Sequence, residues 1–118
     1  MAKILPKGKG VWVPIDHGVT DFPCVGLENI EATITAIIAG GANVIVAHKG
    51  VVDKYSHLCE GTATSMIAHL SASTRHGGKN HSNKVLVGDV DEAIMRGAVG
   101  VSVQANIGSK KESTMLQR

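Results

Sequence analysis

Aromatic residues are nearly missing: one Trp, one Tyr and one Phe in 118 residues. That excludes the base-stacking platform of a single-strand binder. Charge of one sign is missing too. The net charge is +2, and Lys and Arg form no stripe, so the electrostatic footprint of a nucleic-acid protein is absent. The two cysteines, Cys24 and Cys59, have no CxxC spacing and no ligand-like companions. This argues against a disulfide framework or a thiolate metal site and for reduced thiols in a cytoplasmic protein. No apolar run approaches the ~18–20 residues of a membrane span. The opening "MAKILPKGKG" breaks at Pro6 after two adjacent apolar residues, so no secretory leader is expected.

Glycine is plentiful, with 14 residues, and it sits at the joints between apolar segments, where α/β folds need it. "GVWVPID" reads as a short strand, with Pro14 tolerable only near a strand end. "VTDFPCVG" reads as loop. From Leu27 the period changes: Leu27, Ile30, Ile34, Ile37 and Ile38 share one helical face, Glu28 and Glu31 lie in the first turns, and Gly40-Gly41 ends the helix. Val44 to Ala47 is a β-branched run expected as a buried parallel strand, followed by His48 and Lys49.

"VVDKYSHLCEGTATS" reads as loop or short helix. "MIAHLSAST" is expected as a third strand ending in Ser71, Ser73 and Thr74, and "RHGGKNHSN" as polar loop. A helix is expected from Val90 to Arg96, closed by Gly97. "AVGVSVQANIG" gives a fourth strand with Gln104 and Asn106 at its end, and Ser109 with Glu112 marks the start of a last helix.

A faint repeat runs through this order. "AIIAGGANVIVAHKG" and "AIMRGAVGVSVQANIG" share a helix end, Gly-Ala, a β-branched strand and a polar finish. Strand, helix and strand joined by short Gly turns imply parallel strands with right-handed crossovers. Each strand ends in polar residues: Asp16-His17, His48-Lys49, Ser71-Ser73 and Gln104-Asn106. In parallel α/β folds the C-terminal strand ends carry function.

"VPIDHGVTDFPCVGLENIEATITAIIAGGANVIVAHKGVV", "HLSAST" and "KVLVGDVDEAIMRGAVGVSVQANIGS" stand in the order and spacing of a known family. They resemble the archaeal class I (Schiff-base) aldolases. The similarity is closer to the 2-amino-3,7-dideoxy-D-threo-hept-6-ulosonate synthase branch, and next to the class I fructose-bisphosphate aldolase branch. It implies parallel (β/α) units of a TIM barrel, with residues 1–118 forming about the first four strands and ending in the fourth helix. It also implies a phosphorylated sugar substrate and a place in aromatic amino-acid biosynthesis. In the family the Schiff-base lysine lies on the sixth strand, the proton-donating tyrosine on the fifth, and the phosphate-binding glycine loops after the seventh and eighth. None has a counterpart here, so the chain alone is expected to be inactive, and to associate with itself or with a complementary C-terminal half.

The resemblance makes Asp16 the proton acceptor, and His17, Gly18, Val19 and Thr20 the segment that wraps the substrate. From the residues alone, Asp16 could equally cap the loop after its strand, and His17 could be a hydrogen-bonded strand-end histidine. Lys49 could be a nucleophile if burial lowered its pKa, but the family places that amine elsewhere, leaving a salt bridge or substrate contact. Ser71, Ser73 and Thr74 could bind phosphate or cap loops. His48, His69, His76 and His81 are not spaced as a ligand pair on one helix face. The implied imine mechanism uses neither metal nor cofactor. Gln104 and Asn106 stay unassigned.

Overall fold

The computed structural model describes residues 3–21 and 23–117. Four strands, β1 (Trp12–Pro14), β2 (Val44–Ala47), β3 (Ser65–His69) and β6 (Gly100–Ser102), form one parallel sheet in the order β1-β2-β3-β6. Two two-residue strands, β4 (Ser71–Ala72) and β5 (Val85–Leu86), pair antiparallel as a separate ribbon. The helices are α1 (His17–Thr20), α2 (Ile30–Ala39), α3 (Lys49–Tyr55), α4 (Val90–Met95) and α5 (Glu112–Leu116).

Pro14 is explained by its parity. Ile15 N–H donates to Val46 O, so its neighbour Pro14 stands where an N–H would face away from β2, toward the open edge. α2 begins at Ile30, three residues later than its periodicity suggested. Asn29 takes the capping position and accepts from the Ala32 N–H, whereas Glu28 lies before the helix and accepts from the Gly26 N–H. Gly41, at φ +80°, turns the chain from α2 into β2. The ambiguous stretch after β2 is helical: α3 continues into a 3-10 turn over Ser56–Cys59. "RHGGKNHSN" is also partly helical, with a 3-10 segment Arg75–Asn80.

The third strand is corrected most. It leaves the main sheet after Leu70: the Leu70 N–H still donates to Ser102 O of β6, but Leu70 O accepts from the Val87 N–H, and Ser71–Ala72 join the β4–β5 ribbon. The last helix is also shifted. It starts at Glu112, and Ser109 acts one turn earlier, its Oγ accepting from the Lys111 N–H.

One face of the sheet packs on the helices. Ile15, Ile45, Ala47, Met66 and Ala68 bury themselves against Ile34, Val52 and Ala93. Burying a large aliphatic side chain fully contributes roughly 1.5–3 kcal/mol, so this layer anchors the strands whose ends carry the polar groups. Between α4 and β6, Gly97 has φ +102°, and a Cβ there would stand 2.5 Å from Ser56 Oγ. Gly97→Ala should destabilise the fold by about 1–3 kcal/mol, read as a lower urea midpoint at unchanged slope. An unchanged midpoint would mean that the turn relaxes freely.

Candidate active site

Register gathers the polar groups. Pro14 pairs with Val46, Val46 with Ile67, and Ile67 with Gly100. Two residues on, side chains return to the same face, which aligns Asp16, His48, His69 and Ser102 as one row across all four strands. Their contacts agree. His69 Nε2 lies 3.6 Å from Asp16 Oδ2, and His69 Nδ1 lies 2.7 Å from Ser102 Oγ. His48 Nδ1 is 3.2 Å from the His69 carbonyl oxygen, and the two rings meet edge to face with centroids 5.6 Å apart.

His69 is 7% exposed. Burial pushes its imidazole below the ordinary value; Asp16 pulls it back up, and His48 and Lys84 push it down further. The folded state therefore prefers neutral His69. The stability tied to this preference is present above the ordinary histidine range and is lost as pH falls through it.

Asp16 occupies the position before α1, yet its side chain makes no capping bond there. The loop-cap reading therefore lacks its bond, and the carboxylate turns toward His69. Gly18 and Val19 join Asp16, Glu28 and His48 on a mostly apolar cavity of about 360 Å³. Thr20 Oγ1 lies 3.4 Å from the ammonium of Lys84, a lysine only 8% exposed. His17 is exposed and does not line that cavity.

The other polar candidates are held in structural contacts. Lys49 Nζ pairs with Glu92 at 3.1 Å. That hydrogen-bonded ammonium, ahead of Arg96, holds the Glu92 carboxyl below its usual range. Ser71 Oγ accepts from the Gln104 N–H, and Ser73 Oγ donates to His81 O. Gln104 donates to Asn106, which donates to Ser82 O. Among the described residues no three His, Cys, Asp or Glu side chains gather as a metal-binding group. Motif reading missed Ser102 and Lys84 and weighed His69 only as a metal ligand; strand parity is the signal that finds His69 and Ser102.

The strand-end row and its cavity lie in a region that matches a family model. Residues 10–118 match the model described as DeoC/LacD family aldolase. The chain belongs to this aldolase family. It is 34% identical over 118 residues to 2-amino-3,7-dideoxy-D-threo-hept-6-ulosonate synthase 1 of Archaeoglobus fulgidus, covering all of this chain and 44% of that protein. It is 38% identical over 100 residues to the corresponding synthase of Halobacterium salinarum, covering 85% of this chain and 37% of that protein. An archaeal fructose-1,6-bisphosphate aldolase, solved with its catalytic Lys bound to a carbinolamine intermediate, superposes with TM-score 0.78 at 23% identity, over 98% of this chain and 47% of that one.

The aldolase-family chain thus spans less than half the length of these relatives. Its parallel α/β sheet corresponds to half of such an aldolase barrel.

Proposed function

We propose that this chain supplies the N-terminal half of a class I aldolase or transaldolase-type barrel of the 2-amino-3,7-dideoxy-D-threo-hept-6-ulosonate synthase kind. In this reading Asp16 accepts a proton from a phosphorylated sugar substrate, Gly18 and Val19 border the site, and His17 stands outside the cavity. The observation that carries it is the Asp16–His69–Ser102 row at the C-terminal strand ends of a family-matched sheet. Sequence favours the synthase substrate over fructose bisphosphate, with 34% identity on that side against 23% for the superposed bisphosphate aldolase. The free cysteines Cys24 and Cys59 fit a cytoplasmic setting.

Imine catalysis needs an amine that becomes the electron sink for the carbanion. Lys49 is engaged by Glu92, and Lys84 lies against Thr20. In this reading the amine comes from a second half, as the family resemblance implies, and the isolated chain is inactive. Borohydride reduction of the chain with a ketose phosphate should leave its mass unchanged. The same treatment with a complementary second half of a family barrel should trap an adduct on the added half. A covalent adduct mapped to Lys49 or Lys84 would overturn this assignment.

A further inference from the structure

We propose that His69 is the positioning residue for Asp16, holding the carboxylate at the strand ends through Nε2–H while Ser102 holds the imidazole through Nδ1. The proposal rests on the reading of Asp16 as proton acceptor. Its support is geometric. A carboxylate only accepts, so the ring nitrogen facing Asp16 has to carry hydrogen. Neutral imidazole carries one N–H, so Nδ1 is left as an acceptor. The Ser102 hydroxyl, 2.7 Å away, donates to it. Both outer members are fixed by backbone: Ile15 N–H bonds Val46 O just before Asp16, and Ser102 O accepts from the Leu70 N–H.

The 3.6 Å separation of His69 Nε2 and Asp16 Oδ2 is an ion-pair distance rather than a hydrogen bond. A closing movement of roughly half an ångström makes it one, and sites without substrate are commonly this loose. The charged or titratable groups that face the ring are Asp16, His48 and Lys84. Two of the three are cations or potential cations. Burial, the largest influence on the ring, acts with these two against the pull of Asp16 toward charge, so the neutral, Nε2-protonated ring is the form that serves Asp16.

The first test uses the wild-type chain, with histidine nitrogens labelled for NMR. His69 should be the Nε2–H tautomer at neutral pH and should stay neutral as the pH falls through the ordinary histidine range. An Nδ1–H tautomer, or a ring that becomes charged within the ordinary histidine range, would overturn the proposal.

The second test uses the complemented barrel. Glutamine places an amide N–H where Nε2 stands, and asparagine places it where Nδ1 stands. His69→Gln should stay within about tenfold of wild type. His69→Asn should lose kcat by about 10²-fold with KM little changed, the scale expected when a reacting group is misplaced by ~1 Å. Equal losses in both variants would make His69 a packing residue and end the proposal. If His69→Asn is harmless while Asp16→Asn is inactive, this inference alone fails. If Asp16→Asn is itself harmless, the reading of Asp16 fails, and the tautomer still decides whether the ring serves the carboxylate.

Discussion

Asp16→Asn should reduce the turnover of the complemented barrel by roughly 10²–10⁴-fold, the usual share of a general acid–base group. The substitution is nearly isosteric, and the Asp16 side chain makes no capping bond to α1, so the fold should survive. The amide keeps an oxygen toward His69 Nε2 but has no basicity with which to take a proton. Substrate affinity should therefore change much less than kcat. Urea unfolding of the variant gives the control, and single-turnover kinetics with the ketose phosphate gives the effect. A loss below tenfold would leave Asp16 as a structural strand-end residue.

The row that contains Asp16 was half legible from the residue pattern. Short apolar and β-branched runs mark β1 and β2, and their ends point directly to Asp16 and His48. His69 was hidden for a physical reason. "MIAHLSAST" is continuous in composition, so nothing local shows that the strand breaks at Leu70. The break is tertiary: Leu70 makes its last bond to the main sheet by donating to Ser102 O, while its carbonyl accepts from the Val87 N–H of the segment after β5. Ser71 and Ser73 consequently hold loops, and the site group is the histidine that ends the true strand.

Lys84 was invisible for a similar reason. It precedes β5 by one residue and comes near α1 only because the β4–β5 ribbon folds back toward the sheet. Helix boundaries erred where capping overrode periodicity. Leu27 lies in phase with Ile30 and Ile34 yet precedes the cap at Asn29. The fold class, by contrast, was fully legible. Gly41 and Gly97 both adopt positive φ between a helix and the next strand, and each repeats the same αβ joint.

Purified alone, the chain should self-associate or bind an apolar-surface dye, and both properties should fall when a complementary half is added. Four strands cannot close a barrel, and β1 and β6 each have a partner on one side only. An unpaired parallel edge is a template for another chain. Here the edges carry apolar groups: Val11 is 63% exposed and Trp12 40% beside one edge, and Val103 is 66% and Ile107 74% exposed just beyond the other. The two faces of the sheet differ as well. Helices cover the face that carries Ile45 and Met66, whereas Trp12 and Pro14, on the face that carries Asp16, remain exposed. In a closed barrel that face is filled by layers drawn from alternate strands, so a second half would cover both edges and the inner row together. Sedimentation with and without the added half measures the first property, and dye fluorescence the second. A compact monomer with a sharp two-state melt and no dye binding would show that the sheet is sufficient by itself. No second half would then be needed, and the aldolase reading of Asp16 would lose the barrel that its chemistry needs.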